Sequence, residues 1–140
     1  MIGSRTLVMV ACMLGAIAVG VGAMGAHGLT DYLTKQGLEE ALIVKRVHDC
    51  ETAVRYQMFH ALAILAIGLA PWASQNRVLR WSAWLMFLGV LLFSGGIYSI
   101  VFFQKLGHWA IVPSGGMLMI VGWCLAFLSA LTRRGSASVR

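Results

Sequence analysis

The chain has 140 residues, of which 59% are apolar and 11% are charged, whereas ordinary soluble domains are about 45–50% apolar and about 25% charged. A soluble fold of this length cannot hide so much apolar surface, so the composition excludes a water-soluble globular protein and indicates one membrane-embedded domain over residues 1–140. The net charge of +6 forms no basic stripe interleaved with aromatic residues, which argues against nucleic-acid binding.

Four stretches are long and apolar enough to cross a bilayer, which takes about 20 residues of helix. We predict spans at about 7–26, 53–72, 79–103 and 110–131. The second and third spans, and the third and fourth, are joined by short connections, so these neighbours should be antiparallel. The sequence therefore predicts an all-α membrane protein, a four-transmembrane-helix bundle.

The long connection between the first two spans, about 28–52, carries all five acidic residues of the chain. The same connection contains an imperfect helical stripe of apolar residues, formed by Leu38, Ala41, Leu42, Val44 and Val47. This pattern predicts a short interfacial helix that leads into the second span.

Orientation is indicated by the lysines and arginines near the spans. The side that holds both termini carries six arginines: Arg5, Arg77, Arg80, Arg133, Arg134 and Arg140. The other side carries five basic residues: Lys35, Lys45, Arg46, Arg55 and Lys105. This bias predicts cytoplasmic N- and C-termini and places the 28–52 connection outside.

Small residues recur at alternating spacings of four and three along the spans. In lipid, such residues let helix backbones approach closely, and a seven-residue period predicts left-handed packing of the bundle. The glycines expected at helix contacts are Gly15, Gly22, Gly25, Gly89, Gly96, Gly115 and Gly122.

In the second span, the same spacing runs through Tyr56 and His60, which predicts polar side chains inside the bundle. Together with Gln57, Ser94 and Tyr98, they form a candidate interior polar site. One interpretation is a contact for a lipid or quinone, or a proton carrier. The other is a structural hydrogen bond from His60 to Tyr98, Ser94 or a backbone carbonyl.

A second polar group lies near the membrane surface. His27 ends the first span, and Glu51 and Arg55 are four residues apart, close enough on one helix to pair. They form a candidate interfacial site, or they anchor the helices at the headgroups.

No motif for an enzyme or a metal site is found. The three cysteines show no zinc-ligand spacing, no serine–histidine–acid set is apparent, and no second histidine lies within the spans to bind haem. We predict no metal and no cofactor, other than a bound lipid or quinone.

Four motifs occur in order along the chain: Gly22-Ala-Met-Gly-Ala-His-Gly-Leu29, Glu51-Thr-Ala-Val-Arg-Tyr-Gln-Met-Phe-His-Ala-Leu62, Leu92-Phe-Ser-Gly-Gly-Ile-Tyr98 and Pro113-Ser-Gly-Gly116. With these motifs the chain resembles the YgdD/YwdK-type family of small bacterial inner-membrane proteins, which has a mitochondrial-type transmembrane relative.

The resemblance implies four uncleaved spans and a bacterial plasma-membrane location, and it implies no activity, because the family is of unknown function. The motif positions that carry over are Gly22, Gly25, His27, Gly28, Tyr56, His60, Ser94, Gly95, Tyr98, Pro113 and Gly116. The chain departs from the family pattern in a longer, more charged 28–50 segment and in an arginine-rich tail from Arg133 to Arg140.

Three functions follow as hypotheses. The first is a non-enzymatic accessory protein that packs laterally against a larger membrane complex, including a respiratory one, or against itself. The second is a lipid- or quinone-binding protein with its site around Tyr56 and His60, and the third is an oligomeric small-solute transporter. Expected partners are membrane lipids and a membrane protein or a second copy, and not nucleic acid.

Overall fold

The described part of the chain is almost entirely helical. A computed structural model describes residues 2–73, 75–105 and 109–132, and these residues contain five α-helices and no β-strand. The helices are α1 (Ile2–His27), α2 (Leu29–Lys35), α3 (Glu40–Leu69), α4 (Arg77–Phe103) and α5 (Ile111–Leu131). Four of them, all except α2, are long and apolar enough to span a membrane. The predicted all-helical, four-span fold is therefore confirmed. The arginine-rich tail from Arg133 to Arg140 lies outside the described residues.

A short helix does lie between the first two spans, but it comes earlier in the chain than the stripe of apolar residues predicted. That helix is α2, whereas nearly all of the predicted interfacial stretch belongs to α3. At 30 residues, α3 is about 45 Å long at 1.5 Å per residue, and the hydrocarbon core of a bilayer is about 30 Å thick. The charged first third of α3 therefore extends beyond the core as a continuation of the span. The reason is that nothing between Glu40 and Thr52 breaks a helix: the segment contains no Gly or Pro.

Helix α2 packs across the end of the bundle. Its buried residues Leu29 and Leu33 join Ile43, Cys50 and Val101 in one apolar cluster. The hydroxyl of Tyr32 donates a hydrogen bond to the carbonyl of Phe102 at 2.9 Å. This bond ties α2 to the end of α4.

The turn between α3 and α4 has clear local causes. Ala70 takes an extended conformation with ψ of 120°, as expected for the residue before a proline. Asn76 then caps α4, because its Oδ1 accepts a hydrogen bond from the backbone N–H of Leu79 at 3.1 Å. The resulting reversal makes α3 and α4 antiparallel neighbours.

The spans pack as a row in chain order. The extensive contacts between described spans are α1 with α3, α3 with α4, and α4 with α5. No extensive contact joins α1 to α4 or to α5 within the described residues. Consequently α1 and α5 lie at the two ends of the row, and each has one span as its main partner.

Helices α4 and α5 approach most closely through glycine. A Cβ atom added to Gly115 would lie 2.4 Å from the backbone nitrogen of Phe93, and one added to Gly89 would lie 2.8 Å from the carbonyl oxygen of Gly115. Similar crowding at Gly96 and Gly122 continues along the seam, with Cβ contacts of 2.9 and 2.7 Å. Gly89, Gly115 and Gly122 therefore lie where the two backbones come together, whereas Gly96 is crowded by the side chains of Ile111 and Val112.

The contact between α1 and α3 uses a different set of residues. The buried positions of α1 are Leu7, Ala11, Leu14 and Ala18, so Leu14 takes the place predicted for Gly15. No atom of a neighbouring helix lies within 4 Å of a Cβ built on Gly15, and the prediction of close packing there is wrong. A Cβ atom built on Gly22 would lie 3.3 Å from the side chain of Val54, which is tight, whereas one built on Gly25 would lie at an ordinary 3.7 Å from the sulfur of Cys50.

A glycine on α3 makes the close approach to α1 instead. A Cβ on Gly68 would lie 3.1 Å from the backbone nitrogen of Val8. The hydroxyl of Ser4 also donates a hydrogen bond to the Gly68 carbonyl. The sequence pattern missed this position, because Gly68 stands alone among larger residues.

The seam between α4 and α5 makes a direct prediction. Gly115→Ala should lower the stability of the detergent-solubilised protein by about 1–3 kcal/mol, because the new methyl group overlaps backbone atoms of α4 that cannot move independently. Gly95→Ala is the matched control, since no atom lies within 4 Å of its Cβ position. That variant should be neutral or more stable by up to about 1 kcal/mol, from the higher helix propensity of alanine. Unfolding followed by circular dichroism checks both, and equal effects of the two substitutions would contradict the packing assignment.

Candidate functional site

The polar residues predicted for the interior link three helices through Gln57. This side chain is 3% exposed. Its Nε2 donates to the carbonyl of Leu14 on α1 at 2.8 Å, and its Oε1 accepts from the hydroxyl of Tyr98 on α4 at 3.0 Å. A polar group in the hydrocarbon region needs a protein partner, since lipid offers none. Gln57 meets this need on both sides and joins α1, α3 and α4.

Ser94 makes a second link between α3 and α4. Its buried hydroxyl donates to the carbonyl of Ala53 at 2.9 Å. The bond lies close to the Gln57–Tyr98 pair, because Ala53 and Gln57 occupy the same face of α3 one turn apart. The side chains of Gln57, Ser94 and Tyr98 were predicted as possible ligand contacts, and here they form hydrogen bonds within the protein.

His60 connects α3 to α5. It is 6% exposed, its Nδ1 lies 2.8 Å from the carbonyl oxygen of Tyr56, and its Nε2 lies 3.1 Å from the indole nitrogen of Trp123. A carbonyl only accepts and an indole N–H only donates. The two contacts together therefore assign the neutral imidazole with the proton on Nδ1.

This assignment bears on the two interpretations of His60. A protonated imidazole would carry hydrogen on both nitrogens and would point one N–H at the N–H of Trp123. The surroundings thus suit a neutral, fixed ring better than one that gains and releases a proton. They correspond to the structural interpretation, with a backbone carbonyl as one of the partners.

Tyr56 does not face the interior. It is 44% exposed, and its ring lies against Phe93 with centroids 5.0 Å apart and near His60 at 6.3 Å. The predicted interior position of Tyr56 is therefore wrong. The buried stripe of α3 instead runs through Ala53, Gln57, His60, Ile64 and Ile67. The pattern was ambiguous, because steps of four and three reach His60 from either Tyr56 or Gln57.

The three residues of the candidate interfacial site are all exposed, but His27 does not share the surroundings of Glu51 and Arg55. His27 is exposed at the end of α1. Glu51 and Arg55 are exposed on α3 and border a cavity between α1 and α3. The ion pair formed within the described part of the chain is Lys45–Asp49 at 2.9 Å, so Glu51 and Arg55 do not pair although their spacing allows it.

Several polar contacts were not foreseen from the sequence. The amide of Asn76 donates to the hydroxyl of Ser129 at 2.7 Å, and the hydroxyl of Ser82 donates to the carbonyl of Gly122 at 2.7 Å. Both bonds join α4 to α5 at the end near the termini. The spacing of small residues does place Ser129 on the stripe of Gly115 and Gly122, but it does not indicate Asn76 as the hydrogen-bond partner.

No metal centre is apparent in the described residues. Within these ranges, no three histidine, cysteine, aspartate or glutamate side chains come close enough to hold an ion. The arrangement of polar groups therefore has one evident chemical consequence, which is to bind helix to helix.

Comparison with known proteins places the chain in a family. The family model described as "Protein of unknown function (DUF423)" matches residues 21–116. This range includes both partners of the Gln57–Tyr98 and Ser94–Ala53 hydrogen bonds. The chain belongs to this family. The comparison with solved structures gives no match.

The relatives are membrane proteins by name. A "UPF0382 membrane protein" of Staphylococcus epidermidis is 35% identical over 131 residues, which cover 94% of this chain and 99% of the relative. A protein of the same description from Staphylococcus haemolyticus is 40% identical over 84% of this chain and 91% of its own length. One from Staphylococcus saprophyticus is 37% identical over 86% and 92%. The resemblance to a family of small membrane proteins of unknown function is thereby confirmed.

The Gln57–Tyr98 bond can be tested by a double-mutant cycle. Tyr98→Phe removes one hydrogen bond and should cost about 0.6 kcal/mol, the average for such bonds between membrane helices. Gln57→Leu removes two and should cost about 1–3 kcal/mol, because it also leaves the Tyr98 hydroxyl without its partner. The double variant should then cost less than the sum, as measured by unfolding in detergent. Strict additivity would show that the two side chains do not interact.

The tautomer of His60 can be measured directly. In protein labelled with nitrogen-15 in its histidines, Nδ1 of His60 should give the signal of a protonated ring nitrogen, and Nε2 that of an acceptor. Trp123→Phe should shift the Nε2 signal and leave Nδ1 nearly unchanged, because only Nε2 loses its donor. Comparison with His60→Gln assigns the resonance, and a proton found on Nε2 would contradict the assignment.

Proposed function

We propose that this protein is a non-enzymatic accessory protein of the membrane, which packs laterally against a larger membrane complex, including a respiratory complex, or against a second copy. The observation that carries the proposal is the open row of spans. Within an apolar 18-residue stretch of each span, α5 buries 17% and α1 buries 22% of its residues inside the protein, against 39% for α3. The two end helices thus have most of their surface available to a neighbour.

Helix α1 offers the better docking face. Ala16, Gly20 and Ala23 lie together on the side opposite the buried residues and are exposed, and no atom lies within 4 Å of a Cβ built on Gly20. Lipid tails are as apolar as leucine, so helices associate in a bilayer through close packing of small residues. This face has the residues that close packing requires.

The polar interior also supports an accessory role. Gln57, His60, Ser94 and Tyr98 each form a hydrogen bond with another helix of the same chain, and the second contact of His60 is with a carbonyl of its own helix. A site that served a substrate or a quinone would keep some of these groups free. The alternative site around Tyr56 and His60, and an oligomeric transporter, have correspondingly less support.

We also propose a bacterial inner (plasma) membrane location, with both termini in the cytoplasm. The support is the excess of arginine on the side of the termini, under the rule that basic residues stay on the cytoplasmic side. The long charged beginning of α3 would then project from the outer surface.

The docking face is tested by Gly20→Leu. Tagged protein is purified at its natural expression level in native nanodiscs, and everything retained is quantified by mass spectrometry. The wild type should retain a defined membrane-protein partner, or a second copy, at fixed stoichiometry. Gly20→Leu should reduce that retention at least about tenfold, because a bulky side chain holds the partner backbone away.

Gly95→Leu serves as the matched control, because Gly95 is equally exposed and free of neighbours but lies on α4. It should retain the partner. A homogeneous monomer without a stoichiometric partner, or equal loss in both variants, would overturn the proposal.

A further inference from the structure

A groove between α1 and α3 has the features of a ligand site. Its volume is about 490 Å³, within the range of about 300–1,000 Å³ typical of small-molecule pockets. The α1 side is lined by small or short side chains, including Ala18, Gly22 and Gly25, and the α3 side by Val54 and Phe59. The glycines leave the space that an apolar chain would fill.

Two unpaired charges border this groove. Glu51 and Arg55 both line it, both are exposed, and neither makes a salt bridge with another described residue. After Arg55 no charged residue occurs in α3, so the pair marks the place where the helix enters the apolar core. The groove is therefore apolar along most of its length and charged at one end. A lipid molecule, with apolar acyl chains and a charged headgroup, has the same arrangement.

The order of the two charges identifies the headgroup. Arg55 lies one turn further into the membrane than Glu51, about 6 Å along the helix axis at 1.5 Å per residue. In a zwitterionic phospholipid, the anionic phosphate likewise lies nearer the acyl chains than the cationic amine. Arg55 would therefore face the phosphate, for which guanidinium is well suited, while Glu51 would face the amine.

We propose that the groove binds one molecule of phosphatidylethanolamine, with an acyl chain against the α1 glycines and its headgroup spanning Arg55 and Glu51. A primary ammonium donates hydrogen bonds to a carboxylate, whereas the quaternary amine of phosphatidylcholine has no N–H to donate. An anionic lipid such as phosphatidylglycerol offers Glu51 no cation. The site is thus selective among lipids that share the same phosphate. It does not depend on the proposed lateral partner.

The test is native mass spectrometry of the delipidated protein in detergent, with phosphatidylethanolamine, phosphatidylglycerol and phosphatidylcholine of the same acyl chains added in equal amounts. The wild type should retain one phosphatidylethanolamine per chain in preference to the other two. Glu51→Gln and Arg55→Gln should each reduce this occupancy about tenfold, the effect expected from the loss of one charge-assisted hydrogen bond. Lys45→Gln is the matched control, because it removes a charge from the same helix outside the groove, and it should bind as the wild type does.

A pair of tryptophan variants locates the lipid. Val19 lines the groove and is 63% exposed, as is Met9 on the same helix outside it. Val19→Trp should abolish retention by filling the groove, and Met9→Trp should not. Equal or better binding of phosphatidylglycerol, unchanged binding by Glu51→Gln, or equal effects of the two tryptophans would overturn the proposal, as would a second protein chain found in the groove in place of lipid.

Discussion

The structure depends on the fact that a bilayer provides no hydrophobic force to hold apolar helices together. Two other interactions supply the cohesion here. Along the seam of α4 and α5, Gly89 and Gly115 bring the backbones so close that a single methyl group has no room. Between α1, α3 and α4, the helices are held together by buried hydrogen bonds centred on Gln57. Both interactions occur at the two end contacts, because Gly68 also approaches the backbone of α1 closely and Ser82 also donates a hydrogen bond to α5.

These two interactions also explain the shape of the molecule. Close packing and hydrogen bonds are short-ranged, so they join each span to the next one in the row without drawing the ends together. Only the contact of His60 with Trp123 bridges from α3 to α5 among the described polar contacts. The outer faces of α1 and α5 remain open to lipid or to a partner. The groove beside Glu51 and Arg55 lies between α1 and α3.

The buried polar residues around the second span form structural hydrogen bonds, although such residues could equally serve a functional site. A histidine, a glutamine and a tyrosine inside a membrane protein are usually considered functional. Here their partners are carbonyls and side chains of the same chain. Glu51 and Arg55 form no ion pair with a described residue and border the groove between α1 and α3. They are therefore the better candidates for contact with another molecule.

The sequence by itself determined the four spans, their order and the small-residue seam of α5, because apolar length and the spacing of glycines are local properties of the chain. It also indicated His60 as buried. The spacing placed Tyr56 on that face, which is wrong, because Gln57 fits the helical period equally well and is the buried residue. Only the tertiary structure decided this, because the choice depends on whether Leu14 and Tyr98 come within hydrogen-bond distance. The close approach at Gly68 and the groove beside Gly22 likewise exist only where two helices meet.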